Sequence, residues 1–152
     1  MQKKISLITI VFIGLAACSS TAQPAAKATT TQSSAGSPQT SFSLSEWAIA
    51  GSKTVKAGSL SINVTNDGKF KHSFHIARGN SYKTLPLDAA GAVDEGQLSA
   101  ADKIASVDGI GAGESKTLDV NLSTGHYVLY CNISIGSVSH ASKGQVLEIS
   151  VG

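Results

Sequence analysis

The chain has 152 residues and a formal charge of +2, with 12 basic against 10 acidic side chains. That length suits one domain plus processing and linker segments, and a Gly- and Ser-rich composition with few charges and few aromatics fits a turn-rich all-β domain better than a helical bundle. Lys3 and Lys4 fall in a segment expected to be removed, which leaves the mature chain neutral and excludes the basic footprint of a nucleic-acid partner.

Met1-Gln2-Lys3-Lys4 is a short basic stretch, and residues 5–15 form an apolar run too short to remain as a membrane span. This is the pattern of a secretory signal over residues 1–17. It ends in Leu15-Ala16-Ala17-Cys18, which resembles a bacterial lipobox, so Cys18 is expected to be diacylated and to become the mature N-terminus. Several acyl chains anchor a protein stably where one chain binds only marginally. The rest of residues 18–40 is Ala, Thr, Ser, Gln, Gly and Pro with one charge, Lys27, and reads as a disordered linker. A flexible chain of about twenty residues spans roughly 25 Å, enough to lift a domain at 41–152 off a membrane.

From Ser41 the pattern becomes strand-like. Phe42 and Leu44 alternate with serines ahead of Glu46-Trp47-Ala48-Ile49. Leu60, Ile62 and Val64 alternate with Ser61, Asn63 and Thr65, the period of a half-buried strand. Asn66-Asp67-Gly68 signals a turn, and Phe70 to Ala77 reads as the next strand. Between Gly79 and Ser115 the pattern is weak, and Ser99-x-x-Asp102 resembles a capping box that would open a short helix. Leu118 and Val120 mark another strand, and Tyr127 to Asn132 with Val146 to Val151 form the closing pair. The expected architecture is an all-β, Greek-key antiparallel sandwich.

Two cysteines are present, Cys18 and Cys131, in unlike contexts, and no disulfide is expected between them. Cys131 ends the strand His126-Tyr127-Val128-Leu129-Tyr130, and Ser139-His140-Ala141-Ser142-Lys143-Gly144-Gln145 follows after a loop. Upstream, Val55-Lys56-Ala57-Gly58-Ser59-Leu60 leads to Asn66-Asp67-Gly68-Lys69-Phe70-Lys71-His72-Ser73-Phe74. These two elements, in this order, resemble those of the cupredoxin (blue copper) family, closest to its plastocyanin-like and sulfocyanin-like members, across nearly all of residues 41–152. A thiolate and two imidazoles in trigonal array with a weak axial ligand suit copper in both oxidation states.

The resemblance implies one copper ion held by His72, Cys131, His140 and, at the axial position, Gln145. The chain has a single methionine, Met1, so no thioether can fill the axial place that most relatives give to Met. Gln occurs there in stellacyanin-like relatives, and its harder oxygen favours Cu(II). His72 and His75 are three apart and so point to opposite faces of a regular strand. Phe70, Phe74 and Ile76 share parity with His72 and are expected in the core, whereas His75 is expected to face solvent with Lys71 and Ser73. His126 is read as a surface residue. By family analogy, Ser73 and Asn132 are expected to support the sulfur through hydrogen bonds. The loop from Cys131 to His140 is longer than in plastocyanin.

The function these readings imply is single-electron transfer between redox protein partners in a bacterial cell envelope, by a lipid-anchored monomer on the extracytoplasmic side (periplasm, outer membrane or outer face of the plasma membrane). Copper delivery, storage or sensing is the alternative, and a metal-free sandwich used in adhesion or assembly is a third. An enzyme is not expected, since the multicopper oxidases build a trinuclear cluster from many histidines and this chain has four. Zinc could take the same Cys and two His, but the family pattern favours copper.

Overall fold

Period-two alternation builds most of the protein, whose computed structural model describes residues 38–152. The signal, the lipobox Cys18 and the linker up to residue 37 lie outside the described residues. Eleven strands follow in chain order: β1 (Gln39–Ser45), β2 (Ala48–Gly51), β3 (Thr54–Val55), β4 (Gly58–Asn66), β5 (His72–Arg78), β6 (Lys103–Ile110), β7 (Ser115–Leu122), β8 (Gly125–Tyr130), β9 (Ser134–Ile135), β10 (Val138–Ser139) and β11 (Val146–Val151). One sheet runs β2-β1-β4-β7 and the other β3-β11-β8-β5-β6, while β9 and β10 form a separate small hairpin. Two pairs, β1 with β4 and β3 with β11, are parallel, and the other pairings are antiparallel.

The main core lies between the two sheets. Phe42, Leu44, Ile62 and Val64 face Phe74, Ile76, Leu129 and Ile149 there, all nearly excluded from water. These residues sit at alternate positions of their strands, so the facing surfaces of the two sheets are largely apolar, with buried Asn66 and His72 at their ends. Gln39 and Thr40, read as the end of the linker, belong to β1, where they pair with Ser61 and Ile62 of β4.

Three expectations need correction. His75 and Ser73 are buried, with 7% and 1% of their surfaces exposed, rather than facing solvent. The reason is a second apolar cluster on the outer face of the five-stranded sheet, where Leu85 and Val93 from the β5–β6 connection cover Ala77, Val128 and Tyr130. A strand covered on both faces has no solvent side, so parity alone could not assign one. Phe70, expected in the core, is 57% exposed. Its carbonyl accepts a hydrogen bond from the Asn66 side chain at 2.8 Å, which keeps residues 66–70 in a turn and starts β5 at His72.

The third concerns Ser99. Its hydroxyl donates to Asp102 at 2.7 Å and accepts from the Asp102 N–H at 3.2 Å, so the capping contact forms, but no helix follows. Lys103 to Ile110 pairs instead with β5, across two register shifts. Pairing at the edge of an existing sheet satisfies those backbone groups together, whereas a one-turn helix must bear its whole nucleation cost.

Candidate metal centre

Three side chains from separate segments converge at one end of the sandwich. His72 opens β5, Cys131 follows the last residue of β8, and His140 precedes a single 3-10 turn at Ala141–Lys143. All three are at most 2% exposed. His72 Nδ1 lies 3.3 Å from His140 Nδ1, and Cys131 Sγ lies 3.8 Å and 3.5 Å from those nitrogens. A point in that triangle is about 2.1 Å from each donor, close to the length of first-row metal bonds to imidazole and thiolate. The cluster therefore fits one copper ion, and the soft sulfur with two imidazoles is the donor set that suits it.

Hydrogen bonds hold the cysteine. Its Sγ accepts from the Ser73 N–H at 3.3 Å and the Ser73 hydroxyl at 3.6 Å, while Ser73 Oγ accepts from the Asn132 N–H at 2.9 Å. The Asn132 side chain does not reach the sulfur. It accepts from the Val93 N–H at 2.7 Å and donates to the Val93 carbonyl at 3.0 Å, tying the site to the outer cluster. Burial holds the His72 imidazole below the ordinary histidine range, and neighbouring His140 adds to the effect, so His72 is neutral and available as a donor at neutral pH.

The loop from Cys131 to Gln145 is closed at its base by the Cys131 N–H donating to the Gln145 carbonyl at 3.1 Å. Within it, residues 134–139 form the β9–β10 hairpin, which turns at Gly136-Ser137. His140 is fastened by its N–H to Ile133 O at 2.8 Å, and its carbonyl accepts from the Gln145 N–H at 3.1 Å. Gly144 ends the 3-10 turn with φ 107°, a left-handed conformation that disfavours other residues, and so directs Gln145 back toward the core.

Gln145 is fully buried. Its Nε2 donates to the Ser45 carbonyl at 2.7 Å, and only the amide nitrogen can meet a carbonyl. Oε1 is thereby turned the other way and has no hydrogen-bond partner. A buried amide oxygen left without a donor is costly, and a metal ion is one group that would satisfy it.

The turn between β1 and β2 carries residues that the sequence reading passed over. Glu46 Oε1 accepts from the Lys69 N–H at 2.5 Å and the Phe70 N–H at 3.0 Å, and those two donors hold the carboxyl below its usual range. Trp47 meets the His140 ring edge-on with centroids 5.2 Å apart, and it sits at φ 66°. A non-glycine residue there costs about 1–2 kcal/mol, and a Gly or Asn at that turn position would have been its usual sequence signal. Asn66 is buried and donates to Ile110 O at 2.9 Å as well as to Phe70 O, stapling the turn that delivers His72.

His75 is apart from this cluster. Its Nδ1 is 2.7 Å from Glu95 Oε1, its Nε2 is 3.2 Å from Asp108 Oδ1, and its ring stacks on Tyr130. His126 is exposed and lies beside Ser150, as expected of a surface residue.

No protein-family model and no curated protein matches the chain. Solved structures do. Auracyanin from the photosynthetic bacterium Roseiflexus castenholzii, in its dithionite-reduced form, is 18% identical with a TM-score of 0.54, over 77% of this chain and 98% of its own. Azurin from the methylotroph Methylomonas sp. strain J is 14% identical with a TM-score of 0.54, over 77% and 99%. Rusticyanin from Thiobacillus ferrooxidans is 16% identical with a TM-score of 0.52, over 75% and 77%. At these identities the likeness establishes the architecture, and that architecture is the cupredoxin fold.

Proposed function

We propose that the protein is a blue-copper electron carrier of the cupredoxin family, with His72, Cys131 and His140 as equatorial ligands and Gln145 Oε1 as the axial one. The observation that carries this reading is the convergence of one thiol sulfur and two Nδ1 atoms at 3.3–3.8 Å, to which the buried, unpartnered Gln145 oxygen is added as the fourth donor. Copper bound there would pass single electrons by alternating between Cu(II) and Cu(I). The chain's own part is to hold the donors rigidly and keep water away, which limits rearrangement on reduction. Burial of all four side chains favours a resident ion over one loaded and released in delivery or storage.

The remaining features concern place. Residues 1–17 act as a signal, Cys18 carries the acyl chains, and the segment from there to residue 38 tethers a monomeric domain beside redox partners on the extracytoplasmic face of the envelope. The Leu15-Ala16-Ala17-Cys18 sequence supports this. Among the described residues no helix is long and apolar enough to cross a membrane. Cys18→Ala should release the protein from membranes and abolish its acyl mass; persistent membrane partitioning would refute the anchor.

The copper reading is tested by the visible and electron paramagnetic spectra of the copper-loaded protein. An intense sulfur-to-copper charge-transfer band is expected, and Cys131→Ser should bleach it. A colourless protein carrying one equivalent of Cu(II) would overturn the electron-carrier assignment.

A further inference from the structure

We infer that Glu46 is a positioning residue that biases the site toward Cu(II) by facing His72 with a fixed negative charge. The inference rests on the copper reading above and assigns a role to a residue outside the ligand set. Glu46 lies in the two-residue turn joining β1 to β2, in the opposite sheet from His72. Its Oε1 is 3.8 Å from His72 Nε2, a buried ring nitrogen with no hydrogen-bond partner. With His72 Nδ1 turned toward Cys131 and His140, the ring proton belongs on Nε2, so that N–H dipole faces the carboxylate. A carboxylate behind an imidazole raises its basicity as a ligand, and its charge stabilises the doubly charged metal state more than the singly charged one.

Two details keep the charge in place. The Lys69 and Phe70 amides both donate to Oε1, so the side chain is held although 29% of it is exposed. Gly68 makes the room: a Cβ there would come within 2.6 Å of Glu46 Oε1. The glycine of Asn66-Asp67-Gly68 thus matters for the close approach of this carboxylate as well as for the turn. Among the described residues no lysine or arginine side chain forms an ion pair with Glu46.

Glu46→Gln tests the charge while keeping an oxygen that can accept from both amides. In the copper-loaded protein the preference for Cu(II) over Cu(I) should fall roughly three- to tenfold, discounted for partial exposure, which raises the reduction potential by about 30–60 mV at ~59 mV per tenfold. In the Cu(I) protein the His72 Nε2 proton resonance should shift while that of His140 stays. If Glu46 only anchors the turn, the Lys69 and Phe70 amides will move but the potential and the His72 resonance will not, and the inference fails with the copper reading intact. Should Glu46→Gln not take up copper, Gly68→Ala decides by the same measurement, because it displaces the carboxylate without removing it. An unchanged potential there overturns the inference, whereas a colourless wild type overturns the copper reading and this inference with it.

Discussion

Gln145 shows how one side chain can be constrained at both ends. The Ser45 carbonyl takes its amide nitrogen, and its buried oxygen is left without a hydrogen-bond partner, free to serve as the proposed axial donor. Gln145→Met would replace a hard oxygen with a polarisable sulfur, which favours Cu(I). Voltammetry should show the potential raised by an amount on the order of a tenfold change in Cu(II)/Cu(I) preference, or about 59 mV. The same variant strands the Ser45 carbonyl, so stability should fall by about 1 kcal/mol in chemical denaturation. A potential that does not move would mean that Oε1 is not a ligand. His72 and His75 separate ligand from support in the same way. His72→Ala should abolish the trigonal spectrum. His75→Ala should preserve it while removing a buried ring packed on Tyr130 between two carboxylates, at a cost of roughly 2–4 kcal/mol.

At the scale of elements, the strands with clean alternation were legible and those governed by distant partners were not. Residues 60–65 alternate strictly and form the middle of β4, and Val146 to Val151 forms β11 with the limits expected. β6 escaped because Lys103-Ile104-Ala105-Ser106-Val107-Asp108 is a sheet edge with little apolar contrast, and its pairing with β5 sets its conformation. The cysteine-to-histidine loop was legible as a loop of unusual length, but its β9–β10 hairpin was not. The clustered His72, Cys131 and His140 were readable because Cys and His bear distinctive donor chemistry in two elements of recognisable order, whereas Gln145 was singled out only by the family resemblance. Glu46 and Trp47 carry no such mark and Asn66 was marked only as a turn residue, since their roles come from the β1–β2 turn reaching the other sheet and, for Asn66, from the Ile110 carbonyl 44 positions away. At the same scale, Leu44 is fully buried at the end of β1 just before that turn. Leu44→Ala should cost about 2–5 kcal/mol by leaving a cavity, read as a lower denaturation midpoint with an unchanged slope.

Over the whole molecule, the donors belong to a hydrogen-bonded frame built almost wholly from groups other than the metal-facing atoms. Ser73 joins Cys131 to Asn132, Asn132 joins both to Val93, Asn66 joins the β4 turn to β6, and Gln145 joins the loop to β1. Each of these bonds except the contacts to sulfur lies outside the metal-facing atoms, so copper removal should leave the sandwich folded. Copper should then act as a ligand of the native state only and raise stability by mass action: about 2.7 kcal/mol when free metal exceeds its dissociation constant a hundredfold. For a domain of this size that corresponds to a melting temperature higher by roughly 10 °C. Calorimetry of copper-free and copper-loaded protein should show two cooperative transitions separated by that order of shift, with the separation much reduced in Cys131→Ser. Amide spectra of the copper-free and Cu(I) forms should differ mainly at residues 45–47, 66–73 and 131–145. A copper-free protein that melts without cooperativity, or whose amide changes spread through both sheets, would mean that the metal organises the frame rather than occupying it.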